Sequence, residues 1–282
     1  MATEFILNQK DIQAYKDYLT GEEKSDATIE KYIRDINRLY HFISEEKMIC
    51  KEVLIAYKKY LMADYTARST NSMLIAINSF VVFMGFPTMK VKLLKIQRKI
   101  FRSEEKELTK NEYMRLLKAS DKNETRRIHL ILQTICATGI RIGELKYFTV
   151  QAVRKGKIEV YNKGKSRMIF IPKQLCKSLK KYAAKRGIND GSIFVTRNNR
   201  PVDRSNVWKE MKRLCKKTGI AEEKVFPHNL RHLFAMTYYK VEKDIMKLAD
   251  ILGHSSIETT RIYIMSTGEE HAKQISCLGL VT

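Results

Sequence analysis

The sequence offers little for sulfur chemistry. Its five cysteines, Cys50, Cys136, Cys176, Cys215 and Cys277, are odd in number, widely spaced and without a CxxC pair to hold a metal or a redox disulfide. They read as reduced, structural thiols. No apolar run approaches the length needed to cross a bilayer. The opening "MATEFILNQKD" lacks the basic segment followed by an apolar one that marks a secretory signal, so a cytoplasmic location is expected. Carboxylates with ligand-like spacing are missing too, which disfavours a metal-dependent nuclease. There is no internal repeat or low-complexity stretch.

Acidic residues are outnumbered. Over 282 residues, 53 Lys and Arg face 31 Asp and Glu, a net charge of +22. Self-repulsion of that size costs stability unless a polyanion balances it, and nucleic acid is the first candidate. The imbalance is uneven: residues 1–100 hold 16 basic against 12 acidic residues, leaving 37 against 19 for the rest. Residues 154–186 contain twelve basic residues and a single acid, Glu159, and residues 88–102 contain six basic residues and no acid. Solvated surface would explain such runs, but their one-sidedness favours phosphate contact.

The length suits two domains, and 44% hydrophobic with 30% charged residues describes a soluble globular chain. Helical spacing covers residues 10–20 and 26–47, with Ser25 or Asp26 as N-cap of the second; further helices are expected over 51–65 and over "TNSMLIAINSFVVFMG", ending at Gly85. This predicts a compact all-helical domain over residues 1–95, a basic linker over 96–105 and a second domain over 106–282. In the latter, Thr109 caps a helix at 111–119, and an apolar helix at 125–138 breaks at Gly139 and resumes in "RIGELKYF". "GKIEVYNKGKSRMIFIP" reads as a hairpin turning near Lys163 and Gly164. Helices follow at 173–186, 204–217, 228–240 and 243–252, with "GSIFVT" extended. The expected fold class is mainly α with a small antiparallel β-sheet.

Several short stretches carry polar groups where apolar ones would pack better. "ATGIRIGEL" sets Arg141 beside a glycine break in a buried helix, three residues before Glu144. The pair reads equally well as a structural bridge or as a guanidinium awaiting an anion. "PHNLRH" puts His228 and Arg231 at a helix entrance, where free N–H groups favour phosphate. His232, beside "LFAMTYY", reads as a satisfied buried imidazole. "ADILGHSSIETTRIYI" ends a helix at Leu252, turns at Gly253, presents His254 and restarts with Ser255 and Glu258 spaced as a capping box, bringing Tyr263 onto a short helix. Alone, Tyr263 would be a core residue with its hydroxyl at the edge.

Taken in order, "TGIRIGEL", "NKGKSR", "PHNLRH", "LGHSSIETT" and the following tyrosine resemble the tyrosine recombinase (phage integrase-like) family over essentially the whole chain, in its simpler two-domain form. The resemblance implies an N-terminal helical core-binding domain, a mostly helical catalytic domain, and catalytic Arg141, Lys163, His228, Arg231, His254 and Tyr263. The hairpin departs from the family pattern: Asn162 stands where a glycine is usual and the turn is one residue short, so Lys165 rivals Lys163. "YYKVEKDIM" replaces a glycine-centred turn. The implied activity is cleavage and rejoining of double-stranded DNA through a 3′-phosphotyrosine, with no cofactor, metal or ATP. The implied partners are DNA and sister subunits in a tetramer, with the tail "MSTGEEHAKQISCLGLVT" packing on a neighbour. A type IB topoisomerase-like nicking and closing enzyme, and a non-catalytic DNA-binding descendant, are the competing readings.

Overall fold

The computed structural model describes residues 4–97, 106–122, 126–162, 165–265, 273 and 275–278. The chain divides into two compact units, Met1–Arg98 and Lys99–Thr282. Most of the expected basic linker, residues 98–105, lies outside the described residues. None of the described helices is long and apolar enough to cross a membrane.

In the first unit, β1 (Glu4–Ile6) and α1 (Gln9–Gly21) precede α2 (Asp26–Phe42), β2 (Met48–Cys50), α3 (Lys51–Asp64) and α4 (Ala67–Phe83). Asn8 and Asp11 form a reciprocal capping box on α1, and Ser25 is the N-cap of α2. The apolar stripes meet around Tyr15, Ile36, Leu39, Tyr57, Leu61 and Phe80, all fully buried. Two expectations fail here for one reason. α2 ends at Phe42 rather than near 47, because Lys47 adopts a left-handed φ of 54° and its ammonium donates to the Tyr40 and Ile43 carbonyls at the helix end, 2.9 and 3.1 Å away. The chain so freed continues as β2, which pairs antiparallel with β1 (Phe5 opposite Ile49), so the unit is not all-helical. Beyond α4, Asn78 bonds both backbone groups of Val91 and Asn71 both of Leu94, fastening the extended segment along that helix.

The second unit is built around α6 (Arg126–Thr138), whose Leu130, Ile131, Leu132 and Ile135 are fully buried and which packs against α5 (Lys110–Ser120) and later helices. Thr109 caps α5, in a reciprocal box with Glu112. After α6, Gly139 turns left-handed (φ 63°), and the chain re-enters as a 3-10 turn, Ile142–Tyr147, rather than as resumed α-helix. Arg141 is the extended N-cap of that turn (φ −77°, ψ 150°) with its N–H on the Glu144 carboxylate at 2.7 Å, and the turn closes in i→i+3 bonds from Glu144 N–H to the Arg141 carbonyl and from Phe148 N–H to that of Leu145.

α7 (Val150–Lys155) leads to the hairpin of β3 (Lys157–Asn162) and β4 (Lys165–Phe170), with Ile158 opposite Ile169, Val160 opposite Arg167 and Asn162 opposite Lys165. The predicted turn, Lys163 and Gly164, lies outside the described residues. α8 (Lys173–Lys185), a buried extended stretch at Ile193–Val195 with bridges Thr149–Ser192 and Val195–Pro201, and α9 (Arg204–Thr218) follow. α10 (Pro227–Glu242), α11 (Ile245–Leu252) and α12 (Ile257–Ile264) close the described fold. The Ser255–Glu258 capping box is not formed: α12 is entered from Ser256, one residue later, which puts Glu258 a position too early to return to the cap, and it lies 3.6 Å from Arg261 instead. The fold is mainly helical with small antiparallel sheets, as the sequence predicts.

Candidate active site

Three helix boundaries supply the site. α6 ends at Gly139 and leads to Arg141; α10 begins at Pro227 and carries His228, Arg231 and His232 in its first turns; α11 ends at Leu252, and after Gly253 and His254 the chain enters α12 with Tyr263. Proline at the first position of α10 fits because its missing N–H would be unpaired there in any case.

Arg231 is only 2% exposed. It is held by two helix ends: Nη1 donates to the Gly139 carbonyl beyond α6, and Nη2 to the Leu252 carbonyl at the end of α11, both at 2.6 Å. Helix C-termini present unsatisfied carbonyls and the negative end of the dipole, so these bonds offset part of the burial cost. Burial, reinforced by Arg141, still brings the Arg231 pKa down to about 10, which leaves it protonated at neutral pH.

His254 follows from Arg231. Its Nε2 lies 2.9 Å from Arg231 Nη2, and a guanidinium can only donate, so Nε2 accepts and the ring proton sits on Nδ1. Nδ1 in turn lies 2.8 Å from the hydroxyl of buried Thr260. Burial and then the neighbouring guanidinium groups, Arg231 foremost, push His254 down to about 4, in keeping with this neutral tautomer.

Tyr263 is 4% exposed and is ringed by imidazoles: ring centroids of His228, His232 and His254 stand 5.3, 5.2 and 5.5 Å from its own. The phenol oxygen lies 3.3 Å from His228 Nε2. His228 is pushed below the usual imidazole range by burial and then by Arg231 and Arg141, so it is the neutral base form that faces the hydroxyl. His232, read from the sequence as a satisfied core histidine, is satisfied, though half-buried: its Nε2 lies 3.0 Å from the Tyr263 carbonyl and its Nδ1 3.8 Å from Glu107.

Arg141 is the more open guanidinium, its side chain 36% exposed. Nη1 donates to Glu144 Oε1 at 3.2 Å and Nη2 to the Gly253 carbonyl at 3.0 Å, which places it on the wall of a cleft of about 700 Å³ shared with His254 and Arg167. Five of the six residues named from the sequence, Arg141, His228, Arg231, His254 and Tyr263, thus converge. The sixth, Lys163, lies outside the described residues, and Lys165 begins β4.

Sequence reasoning passed over Arg167, although it stands inside the quoted "NKGKSR". Arg167 and Ile169 share one face of β4 and Ile169 is core, as is Ile171 just beyond it, so a cation in that alternation was the available signal. Thr260, fully buried against His254, was also passed over.

Residues 106–270 match the phage integrase family, and residues 12–84 match the phage integrase N-terminal SAM-like domain. The tyrosine recombinase XerA of Pyrococcus furiosus is 29% identical across 96% of this chain and 94% of its own length, and that of Thermococcus kodakarensis 30% across 93% of each. A crystal structure of XerA recombinase, 25% identical, covers 97% of this chain and 99% of its own at a TM-score of 0.54. A lambda integrase fragment crystallised as a dimer on a core site shares the fold at a TM-score of 0.73 and 18% identity, over 93% and 96%. The chain belongs to the phage integrase family and is a site-specific recombinase of the tyrosine class. These relatives do not favour the nicking-closing or the non-catalytic reading.

Proposed function

We propose that this recombinase breaks and rejoins DNA strands at the site just described, with Tyr263 as nucleophile. The observation that carries the reading is the placement of the Tyr263 hydroxyl 3.3 Å from a neutral His228, on a helix that also holds the buried Arg231. A phenol of ordinary pKa ~10 is mostly protonated at neutral pH and a poor nucleophile until a base takes its proton. His228 takes it as the oxygen attacks phosphorus. Arg141 and Arg231 bind the nonbridging oxygens, where planar forks that stay charged offset the growing negative charge. His254, whose Nε2 accepts from Arg231 and so has no proton to give the phosphate in this neutral tautomer, holds that guanidinium in place. Lys163, with Lys165 as its rival, gives a proton to the departing 5′ oxygen. The 3′-phosphotyrosine retains the bond energy, so a 5′-hydroxyl from another strand reverses the step, and no stage calls for a metal ion or ATP.

Double-stranded DNA is the substrate on this reading. The net charge of +22 suits it, and crystal structures of the same fold hold DNA, one of them a lambda integrase tetramer bound to a Holliday junction. Assembly of four copies on paired sites follows by the same analogy. The test uses nicked suicide duplexes carrying candidate sites. The wild-type chain is expected to become covalently attached to a 3′ end, while Tyr263→Phe binds the duplex equally and yields no adduct. An adduct that persists in Tyr263→Phe overturns the assignment.

A further inference from the structure

Glu144 is an awkward neighbour for a phosphate-binding arginine. Its carboxylate, 5% exposed, accepts both the backbone N–H of Arg141 at Oε2 and the Arg141 Nη1 at Oε1. Left alone with Arg141 it would neutralise that guanidinium and compete with DNA for its donors. A second cation prevents this. Arg167, from the middle of β4, donates Nη2 to Glu144 Oε2 at 2.7 Å, with its side chain only 11% exposed.

Nothing about the packing alone calls for a charge at position 167. Its cross-strand partner is buried Val160, and the next residue on the same face is buried Ile169. Its Nε is buried with no hydrogen-bond partner, a cost an aliphatic residue would avoid. The surroundings accommodate it all the same: Gly253 lies so close that a Cβ there would stand 2.5 Å from Arg167 Nη1, and the Gly253 carbonyl is the one that receives Arg141 Nη2. The two guanidinium groups therefore flank one carboxylate and one glycine on the same cleft wall.

We infer that Arg167 is a positioning residue that counterbalances Glu144, so that the carboxylate can orient Arg141 without cancelling its charge. The inference rests on the recombinase reading of this site. With two cations and one anion, the Arg141–Glu144–Arg167 group keeps one net positive charge for the scissile phosphate. Its field reaches the rest of the site, since Arg167 acts on both Arg231 and His254. Without Arg167 the group is neutral, and Arg141 turns towards Glu144.

The experiment is single-turnover adduct formation on the suicide duplex, with site binding by gel shift as the control for folding. Arg167→Met is expected to slow cleavage by about 10- to 100-fold, the usual effect of removing an orienting partner of a reacting group. Arg167→Lys, which keeps the charge, is expected to stay within a few-fold of wild type. The decisive variant pairs Arg167→Met with Glu144→Gln: discarding the unbalanced carboxylate restores most of the lost rate, which no merely structural role of Arg167 would produce. Should Arg167→Met not fold, Arg167→Gln takes its place in each comparison. A wild-type rate in the neutral variants, an equal loss in the lysine and neutral variants, or a double variant slower than the single one overturns the inference. Absence of any adduct with wild-type protein overturns the recombinase reading of the site instead.

Discussion

A guanidinium as buried as Arg231 is stable only because two helix ends aim their carbonyls at it, and the cation so fixed sets the state of its neighbours. It holds His254 in one tautomer and, with burial, keeps His228 unprotonated. A pH dependence follows. His228 accepts a proton only in its neutral form, and its pKa is depressed below 6.5, so more than half of the acceptor is available at that pH and it is lost on acidification through the lower value. Adduct formation should therefore keep more than half of its neutral-pH rate at pH 6.5 and decline on further acidification; a rate already halved at pH 6.5 would contradict the assignment. At this scale the motifs were legible in the sequence, but each polar residue alone read as well as a structural one; it was the resemblance of the ordered set to a known family that singled out the five residues that converge. Arg167 was passed over, since among the many cations of that hairpin one that alternates with Ile169 is inconspicuous.

Two glycines do the shaping at the scale of elements. Gly139 and Gly253 both take φ of 63°, end α6 and α11, and release the carbonyls that Arg231 and Arg141 use. At Gly139 an added Cβ would stand 2.4 Å from the Phe234 ring, which faces the same core as Tyr263. Gly139→Ala is expected to destabilise the protein by about 1–3 kcal/mol, combining left-handed strain with that clash. The urea midpoint would register it, and an unchanged midpoint would refute it. Elements whose caps lie next to them, such as α5 with Thr109 and Glu112, were readable from the sequence. The end of α2 was not, because it depends on Lys47 folding back and on β2 finding β1, a partner some forty residues away in the chain. The resumption after Gly139 was placed correctly but as α-helix, whereas the six residues Ile142–Tyr147 close in i→i+3 bonds.

On the scale of the whole molecule, two units and a strong positive charge were legible in the sequence, and the charge finds its use in the proposed phosphate site. Tyr263 has one more consequence there. Its hydroxyl already sits against His228 of its own chain, and His232 holds its backbone carbonyl, so on the proposed reading nucleophile and phosphate grip are furnished together by a single polypeptide. Such a subunit has no need to borrow a missing part, and a crippled one cannot be cured by a differently crippled companion. Mixing Tyr263→Phe with Arg231→Lys should leave suicide duplexes uncut beyond the sum of the separate preparations; recovered cleavage would mean that subunits exchange their tyrosines. Each copy in an assembly would then cut only the strand it holds, and the order of strand exchange would be decided by which copies are switched on, with no traffic of catalytic parts between them.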